Sequence, residues 1–139
     1  MNDKDFYIER NILKIGNRLL NQRSDDLKYF DLTPNQSETL LFFERHDGAM
    51  IQDLREYLQV THQAATKIVD RMRDKELLII SISASDARAK EIRLTEKGQG
   101  IFQQLKKKGS NVGSNLLRTL NEDEKNQLAV LLEKIIQNL

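Results

Sequence analysis

The 139-residue sequence contains no cysteine. Disulfides, thiol catalysis, thiol-based redox sensing and cysteine-ligated metals are therefore excluded. Tryptophan is absent and aromatics make up only 6% of the chain, so aliphatic side chains must supply most of any core. One proline and six glycines leave no Pro/Gly/Ser-rich linker, and no internal repeat or low-complexity tract is visible. The longest apolar run, Leu77-Leu78-Ile79-Ile80, falls far short of a membrane span. The opening Met1-Asn2-Asp3-Lys4-Asp5 lacks the basic-then-apolar order of a secretory signal, and a cytoplasmic location is expected. The only histidines, His46 and His62, sit in different contexts and do not suggest a metal site. There is no phosphate-cradling glycine loop and no Ser-His-Asp cluster in motif context. No enzyme activity, cofactor or metal is expected.

What is present is a chain with 39% hydrophobic and 31% charged residues, enough apolar material for a core and a highly charged surface. The net charge of +1 conceals an asymmetry. From His62 to Lys108 there are 11 Lys and Arg against 6 Asp and Glu, a balance of +5; the remainder holds 11 against 15, a balance of −4. One region is electropositive within an otherwise acidic protein, a pattern that attracts polyanions.

Apolar periodicity places the elements. Ile8, Ile12, Ile15 and Leu19, flanked by Leu13, Leu20 and Leu27, describe an amphipathic helix whose face is broad enough to need a partner surface. Thr33-Pro34-Asn35-Gln36 reads as an N-cap, a proline at the first helical position and a capping-box Gln. That helix should run to about Arg45, turning Leu40, Leu41 and Phe43 inward, until His46-Asp47-Gly48 breaks it. A short helix over 51–58, a tight Gln59-Val60 connection and a Thr61 cap lead to a helix ending near Lys75, with Ala65, Ile68, Val69 and Met72 inward. The period then changes to two in Ile80-Ser81-Ile82-Ser83 and in Glu91-Ile92-Arg93-Leu94, around the polar tip at 84–89: an antiparallel hairpin. Thr95 caps a further helix with the stripe Ile101, Leu105, Val112, Leu116 and Leu120. Asn121 caps the last helix, which carries Leu128, Leu131, Leu132, Ile135, Ile136 and Leu139. Phe42-Phe43 with Phe30 and Tyr29 reads as core, and Lys106-Lys107-Lys108 as a solvated helix face.

Short helix, turn, helix and hairpin in that order make a winged helix-turn-helix. The fold class is mainly α (α+β winged helix), with a two-stranded wing and long terminal helices. The second helix of such a pair can enter a DNA major groove, and an arginine-bearing hairpin can enter the adjacent minor groove.

Leu32-Thr33-Pro34-Asn35-Gln36, Thr66-Lys67-Ile68-Val69-Asp70-Arg71-Met72, and Asp86-Ala87-Arg88-Ala89 followed by Leu94-Thr95-Glu96-Lys97-Gly98 resemble three segments of the multiple-antibiotic-resistance-regulator (MarR) family of bacterial transcriptional regulators. The resemblance spans nearly the whole chain in order and spacing. It implies a homodimer held by the first and last two helices, so that 1–30 and 98–139 are dimerisation segments around a DNA-binding domain at 31–97. It also implies a repressor of a pseudo-palindromic double-stranded DNA operator, released by a small aromatic or phenolic effector. The DNA-binding set expected on this basis is Thr61, His62, Gln63, Thr66, Lys67, Arg71, Asp86, Arg88 and Lys90, with the Asp86 role being to orient Arg88. Ile12, Ile15, Phe42 and Phe43 are the expected effector-binding residues. The chain departs from the family pattern at Glu76, where glycine is usual, and at Ile80, Met50 and Arg55. A non-glycine residue in a left-handed cap costs on the order of 1 kcal/mol, so the turn at Glu76 is expected to differ. A winged-helix module that binds protein through the same face is the rival reading.

Overall fold

The computed structural model describes residues 3–139. Its order is α1 (Asp3–Tyr29), α2 (Pro34–Arg45), α3 (Ile51–Leu58), α4 (His62–Asp74), β1 (Leu78–Ile82), β2 (Lys90–Leu94), α5 (Glu96–Leu116) and α6 (Glu122–Ile136). The chain divides into two compact units, 1–105 and 106–139, and α5 contributes residues to both.

In the first unit the cap sequences do what their chemistry dictates. Thr33 accepts the Gln36 backbone N–H at 3.1 Å, and the Gln36 side chain accepts the Thr33 N–H at 3.2 Å, closing the capping box that starts α2. The buried Gln36 amide oxygen also accepts from Lys75 Nζ at 3.1 Å, and Lys75 donates to the Asp31 carbonyl as well. The end of α4 is thereby tied to the α1–α2 corner. Thr61 accepts the Ala64 N–H at 3.1 Å and starts α4. Met50 starts α3 without a side-chain cap; instead its N–H donates to Asp53 at 3.0 Å. Arg55, the other departure in α3, is only half-buried, with its charge at the edge of the packing.

The core gathers Leu27 and Leu32 from the α1–α2 corner, Leu40 and Phe43 from α2, Leu54 from α3, Val69 and Met72 from α4, Leu77, Leu78 and Ile92 at the sheet, and Phe102 from α5. Tyr29 corrects the sequence reading: it is 78% exposed, edge-on to Phe30, because the last turn of α1 directs it outward while Leu27 takes the core position.

β1 and β2 pair antiparallel with Ile80 opposite Ile92 and Ile82 opposite Lys90. The first strand begins at Leu78, two residues before the alternation suggested, since Leu77 and Leu78 are both buried. Ile82, in phase with Ile80, is 68% exposed because the hairpin extends beyond the core beneath it. A bridge from Ala49 to Ile92 adds a contact on the other side of β2. The Gly48 N–H donates to the Ile92 carbonyl at 3.0 Å and the Ile92 N–H to Ala49 at 2.9 Å. Gly48 reaches this geometry at φ 83°, a conformation favourable to glycine.

Glu76 also has positive φ, 63°. The left-handed cap therefore forms despite the missing glycine, with Leu77 N–H donating to the Met72 carbonyl at 2.9 Å and Glu76 N–H to Arg73 at 2.8 Å. Thr95 reinforces it by donating to the Glu76 carbonyl at 2.6 Å, and Lys97 donates to the Lys75 carbonyl at 3.1 Å.

In the second unit α5 ends at Leu116, and Leu120, expected on its stripe, lies in the turn before α6. The Asn121–Glu124 capping box closes with bonds of 2.8 and 3.0 Å. Val130, Leu131, Ile135 and Ile136 of α6 are 45–61% exposed, while in the first unit Ile8, Ile12, Leu13 and Ile15 of α1 are 45–47% exposed.

Candidate nucleic-acid interface

The helix pair α3–α4 is joined by a turn that the backbone closes tightly. Gln59 adopts φ 55°, ψ 48°, and its N–H bonds back to Arg55; the Val60 N–H reaches the same carbonyl at 3.3 Å. Thr61 then redirects the chain into α4. With Ala65, Val69 and Met72 fully buried, helical geometry turns the alternate face outward. Thr61, His62, Gln63, Lys67 and Arg71 are exposed, and Thr66 and Asp70 half-buried. His62, Gln63, Thr66, Lys67, Asp70 and Arg71 together line one shallow, open groove of about 460 Å³. The structure thus brings five of the predicted residues, His62, Gln63, Thr66, Lys67 and Arg71, onto one surface of α4, while the sixth, Thr61, is exposed at its N-cap. Asp70, the acidic residue among them, is drawn to Arg73 at 3.6 Å.

The hairpin tip is built by short-range hydrogen bonds. The Ser83 N–H donates to the Ala89 carbonyl at 2.8 Å and the Ala89 N–H to the Asp86 carbonyl at 3.0 Å. Asp86 accepts the backbone N–H of Arg88 at 2.9 Å. The carboxylate therefore orders the peptide that carries Arg88, while the guanidinium stays exposed at the tip, with Lys90 exposed at the start of β2.

Arg93, in the second wing strand, is held by carboxylates at the base of the wing. It lies 3.0 Å from Glu91 and 3.4 Å from Asp47 and sits over Gly48. The Glu91 hydrogen bond raises its pKa above the ordinary arginine value, opposed by partial desolvation and aided by the Asp47 charge. It fastens the base of the wing to the α2–α3 loop. Sequence reasoning missed this role because the partner, Asp47, is 46 positions away. The alternation Glu91-Ile92-Arg93 was the only local signal.

The four expected effector residues have different surroundings. Phe43 is 1% exposed and belongs to the core; Phe42 is 8% exposed. Tyr57 stacks on Phe42 at 5.0 Å and His46 packs against it at 4.7 Å. Ile12 and Ile15 stand on the exposed stripe of α1. The Tyr57 hydroxyl donates to Glu38 at 2.9 Å, and Glu38 pairs with Arg23 at 3.4 Å, linking α3, α2 and α1. Burial, followed by the hydrogen bond and charge of Glu38, pushes the Tyr57 pKa above the usual 10.0.

Among the described residues no group of three or more His, Cys, Asp and Glu side chains could hold a metal ion, and no helix is long and apolar enough to cross a membrane.

Comparison with known proteins is consistent in one direction. The MarR family model matches residues 30–89, from the turn after α1 to the end of the wing tip. The HTH-type transcriptional repressor MdtR of Bacillus subtilis (strain 168) is 26% identical over 106 residues, covering 76% of this chain and 68% of MdtR. The structure of a MarR family protein from Bacillus stearothermophilus superimposes with a TM-score of 0.82 at 23% identity, covering 99% of this chain and 97% of that one. A crystal structure of the S. aureus MepR–DNA complex is similar with a TM-score of 0.70 at 25% identity, covering 90% and 94% of the two chains.

Proposed function

We propose that this chain, whose residues 30–89 match the MarR family model, is a MarR-family, sequence-specific DNA-binding transcriptional regulator that acts as a homodimeric repressor. One observation carries the reading: the single outward surface of α4 formed by His62, Gln63, Thr66, Lys67 and Arg71, in a chain whose hairpin tip exposes Arg88. Helix α4 enters the major groove and offers its Thr61-capped N-terminal half to base edges. Arg88, on a peptide ordered by Asp86, enters the flanking minor groove, where a narrow groove concentrates negative potential. Lys67, Arg71 and Lys90 neutralise phosphates. The DNA complex of the similar MepR supports this assignment.

Dimerisation is supported by the exposed apolar faces of α1 and α6, which monomeric soluble proteins seldom leave uncovered. On this reading 1–30 and 98–139 are dimerisation segments and 31–97 the DNA-binding domain, and two-fold symmetry requires operator half-sites about one helical turn apart. A small aromatic or phenolic effector would bind against Ile12, Ile15, Phe42 and Phe43 and would release the DNA. The protein works in the cytoplasm without cofactor, metal or catalytic activity.

The test is fluorescence anisotropy on duplex DNA from upstream of its own gene, with a scrambled duplex beside it. The reading expects selective binding, weakened by about 1–3 kcal/mol in Arg88→Ala. Equal, weak binding to both duplexes, unaffected by that substitution, would overturn it in favour of a winged-helix module for protein partners.

A further inference from the structure

Within the α4 surface, Thr66 differs from its neighbours in one respect. Its hydroxyl donates to the His62 carbonyl four residues earlier, at 2.9 Å. That back-bond uses the only hydrogen a threonine side chain can donate and fixes the oxygen against the helix backbone. A hydroxyl held in this way cannot donate to guanine O6 or N7, or to thymine O4. The group left for a base edge is the methyl, and apolar contact with the C5-methyl of thymine is what a threonine methyl does in a major groove. Thr66 lines the open groove, half-buried, so the methyl is offered on a supported and partly dry surface.

Gln63 stands three residues before Thr66 on the same helix face, and its amide is exposed. A glutamine amide pairs bidentately with adenine N6 and N7. Three residues advance a helix by about 4.5 Å, between one and two base-pair steps of DNA.

We propose that Gln63 and Thr66 form a two-residue reader of adjacent A·T pairs, with Gln63 taking an adenine and Thr66 recognising a thymine by its 5-methyl group. The proposal rests on the DNA-binding reading above and names the base chemistry of that same surface. The Thr66 hydroxyl is then a positioning group, held by the helix and not by the DNA.

The experiment selects a duplex from a random library with the full-length native protein. Each thymine of the selected half-site is then replaced in turn by deoxyuridine, which lacks only the methyl. At one thymine per half-site the native protein should lose about fourfold in affinity, the value of one buried methyl group. Thr66→Val, which keeps the methyl and deletes the hydroxyl, should bind as the native protein does and retain that loss. Thr66→Ser, which keeps the hydroxyl and deletes the methyl, should bind both duplexes equally. Enrichment of a sequence with no deoxyuridine-sensitive thymine would overturn the proposal alone. So would Thr66→Ser retaining the sensitivity, or Thr66→Val losing affinity while Thr66→Ser keeps it. Failure to enrich any sequence would overturn the DNA-binding reading together with the proposal.

Discussion

Gly98 stands in the first turn of α5, buried against the end of the β1 approach. A Cβ placed there would lie 3.2 Å from the Leu77 carbonyl carbon and far inside contact distance of its oxygen. That oxygen cannot swing away, because it already accepts the Thr95 N–H at 3.0 Å, and Leu77 itself is 2% exposed. Gly98→Ala must therefore move backbone. Relief of this kind of overpacking costs about 1–3 kcal/mol, against a helix-propensity gain of about 1 kcal/mol for alanine over glycine. Gly100, two residues on in the same helix, has nothing within 4 Å of an added Cβ. Gly100→Ala should thus collect the propensity gain alone. The pair should separate in urea by about 1–3 kcal/mol, Gly98→Ala being the less stable, measured at one protein concentration because dissociation of the proposed dimer would contribute to the apparent stability. Since Leu77 leads directly into β1, the wing should also shift, and DNA affinity should fall in Gly98→Ala and not in Gly100→Ala. Equal midpoints for the two variants would refute the packing argument.

Glu76→Gly should raise stability by roughly 0.5–1 kcal/mol, since it removes the left-handed strain at φ 63° and gives back part of the gain as unfolded-chain entropy; a lower urea midpoint would contradict it. Tyr57 has a raised pKa in the folded protein, so the neutral phenol is the form the fold favours. Its contribution is complete below the usual 10.0 and is lost as pH rises through the higher folded value. Native stability should therefore fall above pH 10 more steeply than that of Tyr57→Phe, with phenolate absorbance as the second readout. The native protein should sediment as a dimer at micromolar concentration, and Leu131→Glu combined with Ile135→Glu should shift it toward monomer; a native monomer would remove the dimer from the account.

Elements governed by neighbours in sequence were the most legible. The capping boxes at Thr33–Gln36 and Asn121–Glu124 and the Thr61 cap form as their residues specify, because each is a bond across three positions. The outward face of α4 was legible for the same reason: helical periodicity sorts Gln63 and Lys67 from Ala65 and Val69. What was hidden depends on contacts made across the fold. The Ala49–Ile92 bridge and the Asp47–Arg93 pair each join segments more than forty residues apart. Neither leaves a periodic trace. Tyr29 was misread because apolar character alone cannot say which of two adjacent aromatics a helix end turns inward. The left-handed turn at Glu76 forms without glycine, with Thr95 and Lys97, nineteen and twenty-one residues away, bonding the carbonyls of Glu76 and Lys75. At the wing, the resemblance implied that Asp86 orients Arg88, and the bond present runs from the Arg88 backbone N–H to the Asp86 carboxylate at 2.9 Å, a contact across two positions.

The central claim, that this surface binds a DNA backbone and reads its bases, is tested most directly by the salt dependence of affinity on the selected duplex. Lys67, Arg71 and Lys90, presented twice by a dimer, would neutralise up to about six phosphates, for a slope of log K against log salt near −5. Lys67→Ala should make that slope shallower by about two, one for each protomer. A steep slope that responds in this way is the result the account predicts. A flat dependence, indifferent to Lys67, would contradict it and turn the same winged face toward a protein partner.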